Sequence, residues 1–292
     1  MRENIGKICA ILVTFNPKII DIKNSLETLI PQVNQFIIVD NGSNKKVIKE
    51  LKSLTKKTGL LIKNNENKGL ATALNIGVNA AIKFKNQWVL TLDHDSVCSS
   101  NMIKKMFNAM EVSNFKNVGI LAPNYTTKKG LVYKQKNACI IPTTITSGQI
   151  VSSETFSKIG FYKEDLFIEG IDHDFCFRAL SRGIQTLLIP EVVLKQRIGV
   201  PIVKNFFGKK IIISNQKPER YYYLFRNSIY LYKNFSILVP KWIIRNIFMN
   251  IGVIIKIILF EKKRLKKILM ILKGIIDGIS NRFGKIKTKN TK

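Results

Sequence analysis

The 292-residue sequence predicts an α/β protein: a Rossmann-like, mostly parallel sheet flanked by helices, followed by a basic, apolar helical segment. Two observations predict the sheet. Through residues 1–100, short apolar runs alternate with stretches of helical spacing, and each run ends in a cluster of Asp, Asn, Gly or Ser. A third observation predicts the tail. From Lys233 onward, 15 basic residues stand against two acidic ones, Glu261 and Asp277, in a background of Ile, Leu, Phe and Met.

The runs "KICAILVTF", "QFIIVDNGS", "GLLIKNNENKG" and "NQWVLTLDHDS" have strand composition and strand punctuation. Helical spacing occupies Asp21 to Leu29, Lys45 to Lys56 and Leu70 to Phe84 between them. Sheets built this way bind ligands at the carboxyl ends of their strands, where "TFNP", "DNGS" and "LDHDS" fall. Farther along come a helix from Asn101 to Met110, a strand at "VGILAP" and a helix opening near Asp172. That helix has an acidic first turn, Arg178 and Arg182 toward its end, and Gly183 as a C-cap.

Composition narrows the class. With 46% hydrophobic residues the chain can build a core without staples, and its four scattered cysteines fit neither a disulfide framework nor a zinc site. This reads as a reducing, cytosolic setting. The first apolar run is too short for a membrane span and has no small-residue cleavage site, so it reads as a buried strand. A net charge of +29 seeks anions: nucleic acid, nucleotide phosphates or an anionic membrane leaflet. No helix-turn-helix, zinc or RNA-recognition signature supports nucleic acid. The tail run from Ile243 to Phe260 contains Arg245 and Lys256, which favours amphipathic helices lying in a membrane interface over a span, with packed helices of a soluble C-terminal domain as the alternative.

The triplet Asp-His-Asp occurs twice, at Asp93-His94-Asp95 and Asp172-His173-Asp174, and holds both histidines of the protein. At an extended strand end, Asp93 and Asp95 are expected on one side, with His94 pointing away. Carboxylates so placed repel unless a cation or donor groups lie by them; the plainer alternative has Asp93 making a turn and Asp95-Ser96 capping the helix that follows, and for a cation Mg²⁺ or Mn²⁺ carrying a diphosphate fits better than zinc. Neither a dinucleotide-type glycine fingerprint nor a P-loop is present. The second triplet opens a helix, where acids satisfy free N–H groups and the dipole. Neither His94 nor His173 is assigned to chemistry, and "RYYYLFRN" reads as helix packing before a base-stacking surface.

The ordered blocks "VTFNP", "VDNGS", "NKGLATALNIG" and "LDHDS" resemble the nucleotide-sugar-binding half of family 2 glycosyltransferases of the glycosyltransferase A fold. Within that family they are most similar to the bacterial rhamnosyltransferase branch, and "TSGQ", "IDHDFCFR", "QRIG" and "RYYYLFRN" extend the likeness over Ile8 to Tyr232. The resemblance implies an inverting, metal-dependent transferase. Residues 1–100 would bind the nucleotide sugar, 101–232 would bind the acceptor and catalyse, and 233–292 would associate with membrane.

By the same resemblance Thr14, Asn16 and Asp40 would hold base and ribose, with Asn67 and Gly69 nearby. Asp93 would approach ribose or diphosphate, Asp95 would ligate Mg²⁺ or Mn²⁺, and Arg197 would meet the diphosphate. Asp172 takes the position of the general base and Asp174 that of the following acid, while Ile171 replaces the family's first acid. Gln196 stands where the branch has His, which puts that residue's part in metal binding in doubt. The implied donor is dTDP-L-rhamnose, with a UDP-hexose as the alternative. The implied acceptor is a lipid-linked or growing surface polysaccharide at the inner face of a bacterial cell membrane, as in O-antigen assembly.

Overall fold

The computed structural model describes residues 6–56, 59–127, 130–195, 202–206 and 209–286. By packing, the chain falls into two compact units: Met1–Tyr162 with Phe175–Arg197, and Lys163–Asp174 with Ile198–Lys292. The sequence-based division at 100 and 232 is one of function and does not coincide with these units.

The first unit is built on strands β1 (Ile8–Thr14), β2 (Gln35–Asp40), β3 (Gly59–Lys63), β4 (Trp88–Asp93), β5 (Val118–Thr127), β6 (Gly130–Leu131), β7 (Cys139–Ile141), β8 (Ile150–Ser152) and β9 (Gln185–Leu194). The sheet order is β3-β2-β1-β4-β8-β5-β9-β7, with β6 paired to β5. Strands β1 to β4 run parallel, as does β5 with β9, while β8 lies antiparallel between β4 and β5. Helices α1 (Ile19–Leu29), α2 (Lys45–Thr55), α3 (Leu70–Lys83), α4 (Met102–Val112) and α5 (Ser153–Ile159) connect them.

Strands β1, β2 and β4 are almost wholly buried because both faces are covered, as parallel sheets require, whereas the edge strand β3 is half-buried. Ala10, Leu12, Phe36, Ile38, Leu90 and Leu92 pack with Leu26 and Leu29 of α1 and with Met102, Met106 and Phe107 of α4. Trp88 meets Phe107 edge to face at 5.0 Å. Burial pushes the thiols of Cys9 and Cys98 up to about 12, and all four cysteines are free.

Helix α6 (Ile171–Ser181) carries the second acidic triplet at its start. The second unit also holds a hairpin of β10 (Ile202–Phe206) and β11 (Lys209–Ile213), then α7 (Pro218–Phe235), α8 (Pro240–Phe260) and α9 (Arg264–Ile279). Its core is Tyr221, Phe225, Ile257 and Ile271. The tyrosine run of α7 is buried packing: Tyr221 donates to Glu261, Tyr222 donates to Asp277, and Tyr223 accepts from the Ile286 N–H. Glu261 and Lys267 form a buried ion pair at 2.7 Å, joined by Asn215, which fixes the α8 to α9 turn.

Helices α7 and α9 approach backbone to backbone. A Cβ at Gly274 would stand 2.4 Å from the Tyr222 carbonyl oxygen, and one at Gly278 would stand 2.7 Å from that of Arg226. Gly252 on α8 has open space instead. We therefore expect Gly274→Ala to destabilise the protein by about 1–3 kcal/mol despite alanine's better helix propensity. Gly252→Ala should be neutral or stabilising by up to about 1 kcal/mol. Urea unfolding followed by circular dichroism checks both, and equal effects of the two substitutions would refute the close-approach reading.

Candidate active site

The parallel register brings the carboxyl ends of three strands level: Thr14 lies opposite Asp40, and Val13 opposite Asp93. The Asp40 carboxylate is fully buried and its lone pairs are used. Oδ2 accepts from Thr14 Oγ1 at 2.9 Å and Ser43 Oγ at 2.5 Å, while Oδ1 accepts from the N–H groups of Ser43 and Gly42 at 2.8 and 3.2 Å. Gly42 is required here, since its φ of 95° is left-handed and a Cβ would stand 2.7 Å from the Glu66 carbonyl carbon.

Asn16, also left-handed at φ 46°, donates its N–H to Ser43 Oγ and accepts from Asn44 through Oδ1. Asn41 is the link the sequence reading missed. Its Nδ2 reaches Asn67 Oδ1 at 3.2 Å and the Gly69 carbonyl at 3.0 Å, and its Oδ1 accepts from the Lys68 N–H and from Asn64. The Asn41 N–H donates to the Thr14 carbonyl at 2.7 Å, so Thr14, Asn16, Asp40, Asn67 and Gly69 belong to one hydrogen-bonded network at the strand ends. A cavity of about 560 Å³ opens beside Ser43, lined by Lys45, Lys49, Lys52 and Lys63 with Asn64 and Asn65, and favours an anion.

The first triplet departs from its expected shape. Only Asp93 ends the strand; the chain then turns, with the Ser96 N–H donating to the Asp93 carbonyl at 3.0 Å, so Asp95 sits in a turn instead of two places along an extended strand. Ser147 supports this turn. It accepts from the Asp93 N–H at 3.0 Å and lies 2.8 Å from Ser96 Oγ. The "TSGQ" block carried that signal in the sequence. No hydrogen bond or ion pair engages the half-buried Asp95 carboxylate among the described residues.

At the second triplet Asp172 is half-buried, and its Oδ1 accepts from the His173 N–H. Asp174 is fully buried and accepts from Tyr230 Oη at 2.8 Å. The His173 ring packs edge-on against Trp242 at 4.7 Å. Arg178 donates to the carbonyls of Ile159 and Phe161. Gln196 and Arg197 lie outside the described residues.

A model of the family described as glycosyl transferase family 2 matches residues 9–182. The chain belongs to that family. A dTDP-rhamnosyl transferase, RfbF, of Shigella flexneri is 30% identical over 242 residues, covering 77% of this chain and 80% of the relative. Among solved structures, S. aureus TarS 1-349 superimposes with a TM-score of 0.61 at 14% identity, over 94% of this chain and 82% of that one. GalNAc-T7 with UDP, GalNAc and Mn²⁺ gives 0.56 at 16% identity; the match covers 66% of this chain and 43% of that longer one. The two likenesses show the glycosyltransferase A type of fold, and the family makes the protein a glycosyltransferase.

Family 2 enzymes of this fold imply a divalent ion, and the donor set here fits one. Asp95 offers a carboxylate that no protein group engages among the described residues, with Asp93 two residues away, and both are hard oxygen donors. No group of three or more His, Cys, Asp or Glu side chains gathers among the described residues. An ion there would take its remaining ligands from phosphate and water, the habit of Mg²⁺ and Mn²⁺ and not of structural zinc.

Proposed function

We propose that this glycosyltransferase moves L-rhamnose from dTDP-L-rhamnose to a lipid-linked or growing cell-surface polysaccharide, with inversion at the anomeric carbon. The observation that carries the donor assignment is the 30% identity to a dTDP-rhamnosyl transferase over most of both chains. The strand-end network supports nucleotide binding: Asp40 is held rigid by four donors, among them Thr14 Oγ1, while Ser43 holds Asn16 and Asn41 holds Asn67 and Gly69.

In this reading Asp172 takes the proton of the acceptor hydroxyl as its oxygen attacks the anomeric carbon. The bond from that carbon to the diphosphate breaks, and the nucleoside diphosphate leaves with the electron pair. Asp172 suits the task because its carboxylate is half-buried at a helix start, whereas Asp174, fully buried on Tyr230, holds the helix in place. A Mg²⁺ or Mn²⁺ ion on Asp95, with Asp93 beside it, would neutralise charge on the departing diphosphate. Arg197 would add a cation to the same group.

The second unit supports placing the enzyme at the inner face of the cell membrane, where a lipid-linked acceptor resides. Phe248, Met249, Ile255, Leu265, Leu269 and Ile276 of α8 and α9 are 50 to 73% exposed, among Arg245, Lys256, Lys262, Lys263, Arg264 and Lys266. Helix α8 is long and apolar enough to cross a bilayer, yet Asn246 and Asn250 tie it to Tyr232 and Ser228 of α7, which supports lying on the surface. The protein should float with vesicles rich in anionic lipid and release in high salt or detergent; no flotation with such vesicles would overturn this placement.

A donor panel tests the function. Purified protein with Mn²⁺ or Mg²⁺ should release nucleoside diphosphate from dTDP-L-rhamnose in preference to UDP-hexoses, and preference for a UDP-hexose would replace the donor assignment. Asp172→Asn should lower transfer on the order of 10²-fold or more with donor affinity near normal. Retention of more than a few per cent of activity would remove Asp172 from the role of base. Asp95→Ala should abolish the response to metal, and a wild-type enzyme fully active in EDTA would refute the metal assignment.

A further inference from the structure

Arg226 and Asn227 of α7 are fully buried, yet neither bonds a carboxylate; Arg226 Nη2 and Asn227 Nδ2 donate to backbone carbonyls of the segment that leads into α6. That segment satisfies its own carbonyls only in short turns, such as the Ile168 N–H on the Leu166 carbonyl at 2.7 Å. Phe167, Glu169 and Gly170 all have left-handed φ, at 65°, 61° and 75°, which breaks any helix or strand ladder. Asn227 Nδ2 lies 3.0, 2.7 and 2.7 Å from the carbonyl oxygens of Leu166, Ile168 and Glu169. An amide carries only two N–H groups, so three acceptors share them, and movement of any one of the three would disturb the rest.

Arg226 sets the orientation of that amide. Its Nε is a donor only, so the 2.9 Å contact with Asn227 must be to Oδ1, which turns Nδ2 toward the carbonyls. The guanidinium also reaches the carbonyls of Asp165 and Leu166 through Nη2 and that of Gly284 through Nη1. Its charge is shared with the rings of Tyr222, Tyr223 and Phe283 at 5.0 to 5.4 Å. A buried cation is costly to leave without acceptors, so displacing those carbonyls would be penalised. The clamp ends next to the acid: the Gly170 carbonyl accepts the Asp174 N–H at 3.0 Å and opens the helix that bears Asp172. A Cβ on Gly170 would stand 3.7 Å from that of Asn227.

We infer that Arg226 and Asn227 are positioning residues that hold Asp172 where it can take the acceptor proton. This rests on the reading of Asp172 as the base. The test is a double-mutant cycle between Asn227→Ala and Asp172→Asn, scored by nucleoside diphosphate release and by dTDP affinity. Asn227→Ala alone should lower kcat tenfold or more and change dTDP affinity less than twofold. In the Asp172→Asn background the same change should cost less than twofold, because the group it positions is gone. Asn234→Ala, at an exposed site farther along α7, should leave activity unchanged.

Equal losses in both backgrounds, or a folded Asn227→Ala enzyme with full activity, would overturn the positioning role. Wild-type activity in Asp172→Asn alone would instead sink the base assignment, so the two failures are separable. Should Asn227→Ala not fold, Arg226→Lys, which keeps the charge and loses the guanidinium fork, carries the same cycle.

Discussion

Parallel, in-register pairing of β1 with β2 on one side and β4 on the other is the constraint on which the rest depends. It ends three strands at one level and so sets Thr14, Asp40 and Asp93 side by side. Polar groups gathered at the edge of an apolar sheet have to be satisfied or solvated. The chain answers with short side chains: Ser43 Oγ donates to Asp40 and accepts the Asn16 N–H, Asn41 Nδ2 donates to Asn67, and Ser147 Oγ accepts the Asp93 N–H. These bonds hold the strand-end loops in a fixed shape.

The strands and helices of the first unit were legible because each is locally self-consistent, with apolar runs ending in turn formers and amphipathic stretches between. Helix α3, expected over Leu70 to Phe84, spans Leu70–Lys83. What the sequence concealed was relational. A triplet with acids at alternate positions suggests an extended end, but whether the strand continues past Asp93 depends on the Ser96 to Asp93 turn and on Ser147, 54 residues away. Asn41 was passed over for the same reason, since its partners come from a loop more than 20 residues on.

The aromatic run of α7 shows another limit. Three successive tyrosines cannot share one helix face, and periodicity alone says only that some are buried. In the fold all three are, each by a different partner: Glu261, Asp277 and the Ile286 N–H. Two of those partners are the only acids of the tail, from Lys233 onward. In a segment that otherwise carries only basic charges, both carboxylates are kept inside, each against a lysine and a tyrosine. The outward face is thereby left to Lys, Arg and apolar side chains, a distribution that the net charge could not have revealed.

The two Asp-His-Asp triplets differ in what their second aspartate must do. In the first, Asp95 sits in a turn and no group among the described residues engages its carboxylate; in the second, Asp174 is buried on Tyr230 and anchors the helix. An acid engaged by a buried hydroxyl is a poor proton shuttle, because protonating it would disturb the bond that holds it. Among the described residues the half-buried Asp172 carries no such tie beyond a bond to the next N–H of its own backbone, so its placement depends on how firmly the segment before it is fixed. Asn227, spending one amide on three carbonyls of that segment, is where this firmness comes from.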